Sequence, residues 1–388
     1  MAVTYLFISH SGHLHGAELS LTALVSILKA RESCEVHVVL PFDDANSRME
    51  QQLRANGCEV HHLTYAHTRW VDSHFDYPRG TWESLALVPR FIRLLQALKP
   101  DVVVLNSAVL SPLFAVAARL MGIPCVWSIR ELGAEDHGYR FLFGRRATIA
   151  LMQRFAHHLV FNSAFTKSRY RLGRQTRSSV IPPPCLPSVD ERPAETEDQR
   201  DWSLVLLGRT VEGKGQFDAI RAMDILVNRL GRSDVHLTVV GVVPNAYSAS
   251  MQEFVERTQL APYVTWIPFG DAAQAQDHLR RAHVGLVTSR HEAFGRVTVE
   301  YLVAGLLTVG ADAGGTSEIL DHFPRSTVRY RPGDHEDLAR VLDSLMRQPY
   351  ASYRPHLNDQ MRVGRDLFSA ERQYRMWKEV FAAATASS

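Results

Sequence analysis

The sequence has few cysteines, four among 388 residues: Cys34, Cys58, Cys125 and Cys185. They lie far apart and form no Cys-x-x-Cys pair, which excludes cysteine zinc sites and thiol redox motifs of the usual spacing. Isolated cysteines in apolar surroundings are typical of a reducing compartment. We therefore expect a cytoplasmic protein.

Long hydrophobic runs are also lacking. A membrane-spanning helix needs roughly 18 or more uninterrupted apolar residues, and the apolar stretch at 113–127 is broken by Arg119. Residues 1–10 have no basic region before a short apolar run, so they predict a first β-strand rather than a signal peptide. We expect no transmembrane segment.

Neither sign of charge is in large excess. The net charge is +2, with 22% charged and 46% hydrophobic residues, as in soluble globular proteins. Such a total predicts no general attraction to nucleic acid. The chain also lacks an Asp-x-Asp motif and a Gly-x-Gly-x-x-Gly turn after a strand, so an NAD-dependent dehydrogenase is the least favoured enzyme class.

What the sequence does contain is an alternation of short β-rich runs and amphipathic helical stretches, in a chain too long for a single core. This pattern favours an α/β fold with parallel sheets covered by helices on both faces. The predicted strands are residues 5–9, 36–40, 102–106, 126–129, 159–162, 204–208, 235–241, 264–267, 284–287 and 307–311.

A proline-rich break divides the alternation into two parts. Residues 181–187 read Ile-Pro-Pro-Pro-Cys-Leu-Pro, and residues 189–201 add six acids. Prolines continue neither a helix nor a central strand, so this segment predicts a surface linker. We predict an N-terminal domain at 1–187, a linker at 188–201, a C-terminal domain at 202–366 and a final helix at 367–388. The apolar face of that helix carries Tyr374, Trp377, Val380 and Phe381.

A glycine-rich turn at 208–215, Gly-Arg-Thr-Val-Glu-Gly-Lys-Gly, follows one predicted strand and precedes a helix. Such a turn presents backbone N–H groups to an anion at the carboxyl end of a sheet. Arg209 and Lys214 add two cations, and a charge-assisted hydrogen bond contributes about 1.5–3 kcal/mol. We interpret the turn as a pyrophosphate clamp. It nearly matches a P-loop, but Gly215 replaces the Ser or Thr that holds Mg²⁺, which disfavours a kinase or NTPase.

The segment 289–300, Ser-Arg-His-Glu-Ala-Phe-Gly-Arg-Val-Thr-Val-Glu, follows another strand. Gly295 predicts a turn and a helix starting near Arg296, which places Glu292 in the loop and Glu300 about one helical turn in. Carboxylates accept the hydroxyl protons of vicinal diols, as in a hexose or a ribose. The helix start offers N–H groups to a phosphate. A loop acid beside a solvated helix acid is the alternative.

Two more glycine turns have the same placement. Residues 311–318, Ala-Asp-Ala-Gly-Gly-Thr-Ser-Glu, predict a glycine pair before a helix with capping residues. Residues 11–18, Ser-Gly-His-Leu-His-Gly-Ala-Glu, connect the first strand and first helix. His10, His13 and His15 raise the question of a metal, but loop histidines without a matching cluster of acids or cysteines are usually solvated. We predict no metal site.

Together these stretches resemble glycosyltransferase family 4, the glycosyl transferases group 1. Residues 292–300 match its E-x7-E signature, 208–215 resembles its phosphate clamp, and 314–318 is similar to its G-G-x-x-E segment. Residues 16–18 resemble its G-G-x-E loop, with Ala17 in place of a glycine. The resemblance implies the GT-B fold: two Rossmann-like parallel-sheet domains face a central cleft, and the C-terminal helix crosses back to the N-terminal domain.

The resemblance also implies residue roles. Arg209 and Lys214 would hold the diphosphate and support the leaving group, and Glu292 would contact the donor sugar; these three are the predicted catalytic residues. Glu300 would hold the ribose, and Phe269 falls where the base commonly lies. The other residues predicted to bind the donor are Gly16, Phe294, Gly295, Arg296 and Val297.

The acceptor side departs from the family pattern. Many members carry a His-Asp pair after the fifth strand, where this chain reads Trp-Ser-Ile-Arg-Glu at 127–131. Arg130 stabilises negative charge but cannot act as a neutral base. Our acceptor-side candidates are His13, His15, Arg130 and Glu131. The Asn-Gly that often opens the family's interdomain linker is also absent near 182–184.

From these features we predict a retaining hexosyltransferase that uses a nucleoside-diphosphate sugar and no metal or other cofactor, in polysaccharide or glycoconjugate biosynthesis. Fixed cations would offset the charge on the departing diphosphate, and without an obvious covalent nucleophile we favour front-face substitution. The acceptor would be a glycan, a lipid-linked glycan or a small molecule. A nucleotide-sugar epimerase of similar fold and a non-catalytic nucleotide-sugar binding protein are the alternatives.

One segment has a marked charge bias. Residues 137–189 contain no acid and nine basic residues: Arg140, Arg145, Arg146, Arg154, Lys167, Arg169, Arg171, Arg174 and Arg177. A basic surface on the acceptor domain predicts peripheral contact with anionic lipid at the inner face of the membrane. Solvated helix faces with partners elsewhere in the fold explain the bias equally well.

Overall fold

Two parallel β-sheets organise the chain in the computed structural model, which describes residues 2–65, 76–133, 141, 143–185, 201–270 and 272–386, without the side chains of 76–84 and 272–275. The chain divides into two units. The first comprises Met1–Pro184 with Ser369–Ser388, and the second comprises Cys185–Phe368. The predicted linker at 188–201 lies almost wholly outside the described residues.

The first unit has a seven-stranded sheet in the order β3-β2-β1-β4-β5-β6-β7, with every pairing parallel. The order in which strands are added to the sheet therefore reverses between β1 and β4. Ligands of such sheets bind at this point. The strands are β1 Val3–Ile8, β2 Cys34–Pro41, β3 Glu59–Leu63, β4 Val102–Leu105, β5 Cys125–Ile129, β6 His158–Phe161 and β7 Ser178–Val180.

Helices cover both faces of this sheet, so its central strands are buried on both sides. The final helix belongs to this unit: Trp377, Val380 and Phe381 pack into the core that holds Tyr5 and Val126. The helices are α1 Gly16–Arg31, α2 Arg48–Ala55, α3 Asp76–Leu98, α4 Leu113–Leu120, α5 Arg145–Phe155, α6 Ala164–Arg169 and, at the end of the chain, α14 Ala370–Thr385.

The second unit has a six-stranded parallel sheet in the order β10-β9-β8-β11-β12-β13. Its reversal point lies between β8 and β11. The strands are β8 Trp202–Leu207, β9 Val235–Val242, β10 Val264–Pro268, β11 Val284–Val287, β12 Leu307–Ala311 and β13 Thr327–Tyr330. The helices are α7 Gln216–Asp224, α8 Ala246–Arg257, α9 Ala272–Arg281, α10 Arg296–Val303, α11 Gly314–Leu320, α12 His335–Met346 and α13 Arg354–Leu367.

The predicted fold class of two Rossmann-like parallel-sheet domains is confirmed, and all ten predicted strands are present to within two residues at either end. Three further strands, β3, β7 and β13, were not predicted. They are short, and their exposed or half-buried polar residues hide the apolar pattern of a buried strand. In the described part of the chain, no helix combines the length and hydropathy needed to cross a bilayer.

Candidate functional site

Three glycine turns meet at the carboxyl ends of adjacent strands β8, β11 and β12 in the second unit. The turn at 208–215 connects β8 to α7, as predicted. Gly215 is the residue before α7 and has a left-handed backbone with φ of 65°. A Cβ at Gly215 would lie 2.4 Å from the carbonyl oxygen of Thr288. The hydroxyl of Thr288 donates to the carbonyl of Lys214 at 2.7 Å, so the turns after β8 and β11 are packed together.

This packing predicts a sharp difference between two glycines in the same turn. Gly215→Ala should lower the free energy of unfolding by about 2–4 kcal/mol, because it adds left-handed strain and a backbone clash. Gly213→Ala is the matched control, since a Cβ there meets no atom within 4 Å. Urea denaturation of both variants measures the difference. Equal stabilities would contradict the close contact between the two turns.

The two predicted clamp cations have different surroundings. Lys214 forms an ion pair with Glu292 through its Nζ atom and the Oε1 atom of the carboxylate. Arg209 is exposed, and its carbonyl accepts a hydrogen bond from the Gln216 amide at 2.9 Å. Among the described residues, the guanidinium of Arg209 forms no ion pair. The structure thus brings Lys214 to the predicted sugar-binding carboxylate and leaves Arg209 available to a ligand.

The loop that carries Glu292 rests on the third turn. The N–H of Gly315 donates to the carbonyl of Glu292 at 2.8 Å, and Cβ atoms at Gly314 and Gly315 would lie 2.5 Å from the carbonyl oxygens of Glu292 and Phe294. The capping prediction for this turn is wrong. Helix α11 begins at Gly314 itself, and its N-cap, Ala313, has no side-chain acceptor. Close backbone packing, rather than a cap, explains the glycine pair.

The helix after this loop starts at Arg296, as predicted. Its N-cap is Gly295, with φ of 94° and no side-chain acceptor for the first-turn N–H groups. The ring of Phe294 is buried and packs against Phe368 at 6.0 Å between centroids. The ring therefore serves the core, and the backbone of Phe294 is the part that a ligand can use. Arg296 and Val297 are half-buried in the first turn.

The two remaining donor-side residues of this unit differ in exposure. Glu300 lies in the second turn of α10; burial raises the pKa of its carboxyl, and the positive charge of Arg296 opposes that rise. Phe269 follows β10 and is 59% exposed, with its N–H bonded to the carbonyl of Val242 at 2.9 Å. A large exposed aromatic ring at a strand end is suited to stack on a planar ligand.

In the first unit, the predicted donor-binding residue Gly16 and the predicted acceptor-side residues lie after β1 and β5. Gly16 is the first residue of α1, and His15 is its N-cap. His13 is exposed and lies 3.5 Å from Asp44. Arg130 is buried and donates from Nε to the side-chain oxygen of Asn106 at 3.0 Å. This hydrogen bond joins the carboxyl ends of β4 and β5.

Glu131 is buried and accepts hydrogen bonds from the protein at both carboxylate oxygens. The Ser107 hydroxyl donates to Oε1 at 3.1 Å, and the N–H of Ala108 donates to Oε2 at 3.0 Å. Glu131 thereby fixes the loop that follows β4. Asn106 and Ser107 were not among the predicted site residues. Their position after a strand at the reversal point of the sheet is the signal that identifies them.

Glu18, in the first turn of α1, is 1% exposed and lies 3.2 Å from Nδ1 of His10. Burial raises the pKa of its carboxyl to about 8. The folded protein therefore keeps this proton where the unfolded chain, with a carboxyl pKa near 4.5, loses it. We therefore expect the free energy of unfolding to fall as pH rises from about 4.5 to about 8.

Glu18→Gln should remove this pH dependence. Each pKa unit corresponds to about 1.4 kcal/mol. Between pH 5 and pH 8, we therefore expect the free energy of unfolding of the variant to rise by several kcal/mol relative to that of the wild type. Urea denaturation at both values measures the gain. If the free energies of unfolding of variant and wild type differ by the same amount at pH 5 and pH 8, Glu18 is ionised in the folded protein.

Several residues of the basic segment serve the fold. Arg145 donates to the carbonyls of Leu132 and Arg169 at 2.7 and 3.0 Å, and its guanidinium lies over the ring of Tyr170. Arg177 donates to the carbonyl of Ala383. Arg140 lies outside the described residues. The exposed members are Arg146, Arg154, Arg169, Arg171, Arg174 and Arg177.

Two protein families match consecutive parts of the chain. Residues 189–362 match the family described as glycosyl transferases group 1, and residues 15–184 match the glycosyl transferase 4-like domain. The chain is 30% identical over 119 residues to a D-inositol 3-phosphate glycosyltransferase of Paenarthrobacter aurescens. It is 27% identical over 176 residues to the gpi3 subunit of the Schizosaccharomyces pombe phosphatidylinositol N-acetylglucosaminyltransferase.

These curated relatives match only in part. The matched segments cover 31% and 44% of this chain, and 29% and 36% of the bacterial and yeast relatives respectively. Solved structures match over nearly the full length. The Anabaena protein HepE in complex with UDP has a TM-score of 0.79 at 19% identity, with 98% of this chain and all of HepE covered. Sucrose-phosphate synthase from Thermosynechococcus elongatus has a TM-score of 0.76 at 16% identity, with both chains fully covered.

Proposed function

We propose that this chain, whose two halves match the glycosyl transferases group 1 and glycosyl transferase 4-like families, transfers a hexosyl unit from a nucleoside-diphosphate sugar to an acceptor hydroxyl. The observation that carries the proposal is the contact between Lys214 and Glu292. This contact brings a lysine ammonium and a carboxylate together on a backbone built from three glycine turns, which supports the proposal that Lys214 holds the diphosphate and Glu292 the sugar.

The site is chemically suited to the two parts of such a donor. The exposed Arg209 and the Lys214 ammonium are cations suited to a diphosphate. The uncapped N–H groups at the start of α10 add a positive helix end. The Glu292 carboxylate accepts hydrogen bonds from sugar hydroxyls, and Glu300 is our candidate for the ribose. Phe269 is our candidate for stacking on the base. HepE, which has the same fold, has been solved with UDP-glucose.

The proposed reaction exchanges one bond at the anomeric carbon. The bond from C1 to the phosphate oxygen breaks, and its electron pair stays on that oxygen. The acceptor oxygen bonds to C1 from the same face, so the anomeric configuration is retained. The acceptor proton passes to the departing phosphate oxygen. Arg209 and Lys214 stabilise the charge that develops on the diphosphate, which allows the reaction to proceed without a metal ion.

On the acceptor side, the first unit offers charged and polar residues after β1, β4 and β5. Arg130 is held by Asn106, and His15 is the N-cap of α1. We propose that Arg130 orients an acceptor by hydrogen bonding rather than by accepting its proton. An acceptor bearing negative charge fits this arrangement best. The exposed arginines of the basic segment support peripheral contact with anionic lipid, which salt-dependent flotation with anionic liposomes would test.

A two-stage experiment tests the function. A thermal-shift screen with UDP-, GDP-, ADP- and dTDP-sugars identifies the donor, since a ligand that binds only the folded state raises the melting temperature. Mass spectrometry then follows that donor with a library of glycan, lipid-linked and small-molecule acceptors. We expect a product heavier than its acceptor by one hexosyl unit, and the same yield in EDTA.

Two other outcomes identify the alternative functions. Conversion to an epimeric sugar with free nucleoside diphosphate and no acceptor-linked product would indicate an epimerase. Tight donor binding without any transfer would indicate a binding protein. Either result would overturn the transferase proposal while leaving the donor site in place.

A further inference from the structure

A cluster of two histidines and one glutamate lies on the first unit's sheet, outside the proposed donor and acceptor sites. His37 is in β2, and Glu59 and His61 are in the edge strand β3. In the parallel register, His37 lies opposite Glu59, and His61 lies two residues further along β3. Residues two apart on a strand share a face, so the three side chains lie on one face of the β2–β3 pair.

Two distances within this cluster match the separation between ligand atoms of one metal ion. Nδ1 of His37 lies 3.1 Å from Nε2 of His61 and 3.3 Å from Oε2 of Glu59. One ligand atom from each residue lies within 4.8 Å of the others. A tetrahedral Zn²⁺ with bonds of about 2.0–2.1 Å separates its ligand atoms by roughly 3.3 Å. Both distances from Nδ1 of His37 are close to this separation, so a closer approach of the Glu59 and His61 atoms would place all three around one cation.

Hydrogen bonding between neutral histidines does not satisfy all of these contacts. If the proton is on His61, the lone pair of His37 Nδ1 receives it but also faces the Glu59 carboxylate, another acceptor. If the proton is on His37 Nδ1, two acceptors compete for it. A cation accepts a lone pair from all three atoms.

From this geometry we propose that His37, Glu59 and His61 bind a divalent transition-metal ion, for which Zn²⁺ is the natural probe. Imidazole and carboxylate ligands suit this class of ion. His37 is buried and Glu59 is 73% exposed at its side chain, so the ion would enter from the solvent side. Three protein ligands leave a fourth position for water.

The site would stabilise the fold rather than take part in sugar transfer. Glu59 is the first residue of β3, and His37 is in the first half of β2. Both therefore lie away from the carboxyl ends, where His13 and Arg130 are found. A bound ion would tie the edge strand β3 to β2 and fix its register. Transfer without a metal at the donor site is compatible with this role.

Metal analysis of the full chain tests the proposal. After loading with Zn²⁺ and dialysis into metal-free buffer, we expect about one Zn²⁺ per wild-type chain, and a melting temperature that EDTA lowers. Glu59→Gln and His61→Gln should each weaken Zn²⁺ binding at least tenfold and abolish the EDTA effect. Glu59→Gln changes an exposed side chain, so it should fold normally.

His62→Ala is the matched control. His62 is the next residue of β3, and it lies 3.2 Å from Glu50, which also binds Arg54 and the N–H of Asn46. This variant should keep the Zn²⁺. If the wild type holds no Zn²⁺ above the level of a Mg²⁺-loaded control, or if the Gln variants hold as much as the wild type, the metal site is ruled out. Neither result depends on sugar transfer.

Discussion

Replacing Arg209 by alanine should lower kcat/KM for sugar transfer by about 10²–10³-fold, the loss typical of removing one group that stabilises developing charge. The side chain of Arg209 is exposed, so its removal leaves no cavity and no buried charge. The melting temperature should therefore stay within a degree or two of the wild type. Steady-state kinetics with the donor from the thermal screen measures the loss.

Two variants show whether the effect depends on the position and shape of this cation. Arg229→Ala removes an exposed arginine of the same unit, which lies 3.9 Å from Glu336, and it should leave turnover unchanged. Arg209→Lys keeps the charge but loses the planar fork that matches a phosphate, so it should recover only part of the activity. If Arg209→Ala turned over at the wild-type rate at saturating donor, Arg209 would not be a catalytic residue.

The pair of Lys214 and Glu292 should separate binding of the diphosphate from transfer of the sugar. Lys214→Ala should weaken binding of the bare nucleoside diphosphate by about 10–100-fold, the range of one charge-assisted hydrogen bond. Glu292→Gln should leave that binding unchanged or make it tighter, because the mutation removes the carboxylate that holds the Lys214 ammonium in the ligand-free protein. Transfer should fall by at least about 100-fold in both variants.

Isothermal titration with the nucleoside diphosphate and kinetics with the sugar donor measure the two effects. Arg347→Ala removes an exposed arginine that pairs with the half-buried Asp343 and should change neither. If Glu292→Gln weakened diphosphate binding as much as Lys214→Ala, the ion pair would be a structural clamp and Glu292 would not be a sugar ligand.

The elements with strong local signals could be predicted from the sequence. The strands β8, β11 and β12 are apolar runs followed by glycines, so both the strands and the turns after them are visible. The start of α10 at Arg296 follows from Gly295, whose φ of 94° disfavours other residues. These signals were enough to predict the fold class and the location of the proposed donor site.

Other features depend on sheet order, which local patterns do not encode. The contact between Lys214 and Glu292 joins residues 78 positions apart, and it exists because β11 lies beside β8. The sequence also does not indicate that Glu18 is buried, since an acid in the first turn of a helix is usually solvated. His37, Glu59 and His61 escaped notice because β3 was not predicted. Without that strand, nothing in the sequence places the three residues on one face.

The central claim is that the three glycine turns of the second unit form a diphosphate site. Calorimetric titration in EDTA tests this claim most directly. We expect the wild-type chain to bind one molecule of UDP, GDP, ADP or dTDP, and the Arg209→Ala/Lys214→Ala double variant to bind it at least about 100-fold more weakly, since two charge-assisted bonds are lost. Binding of equal strength in the double variant, or no binding of any of the four by the wild type, would contradict the account.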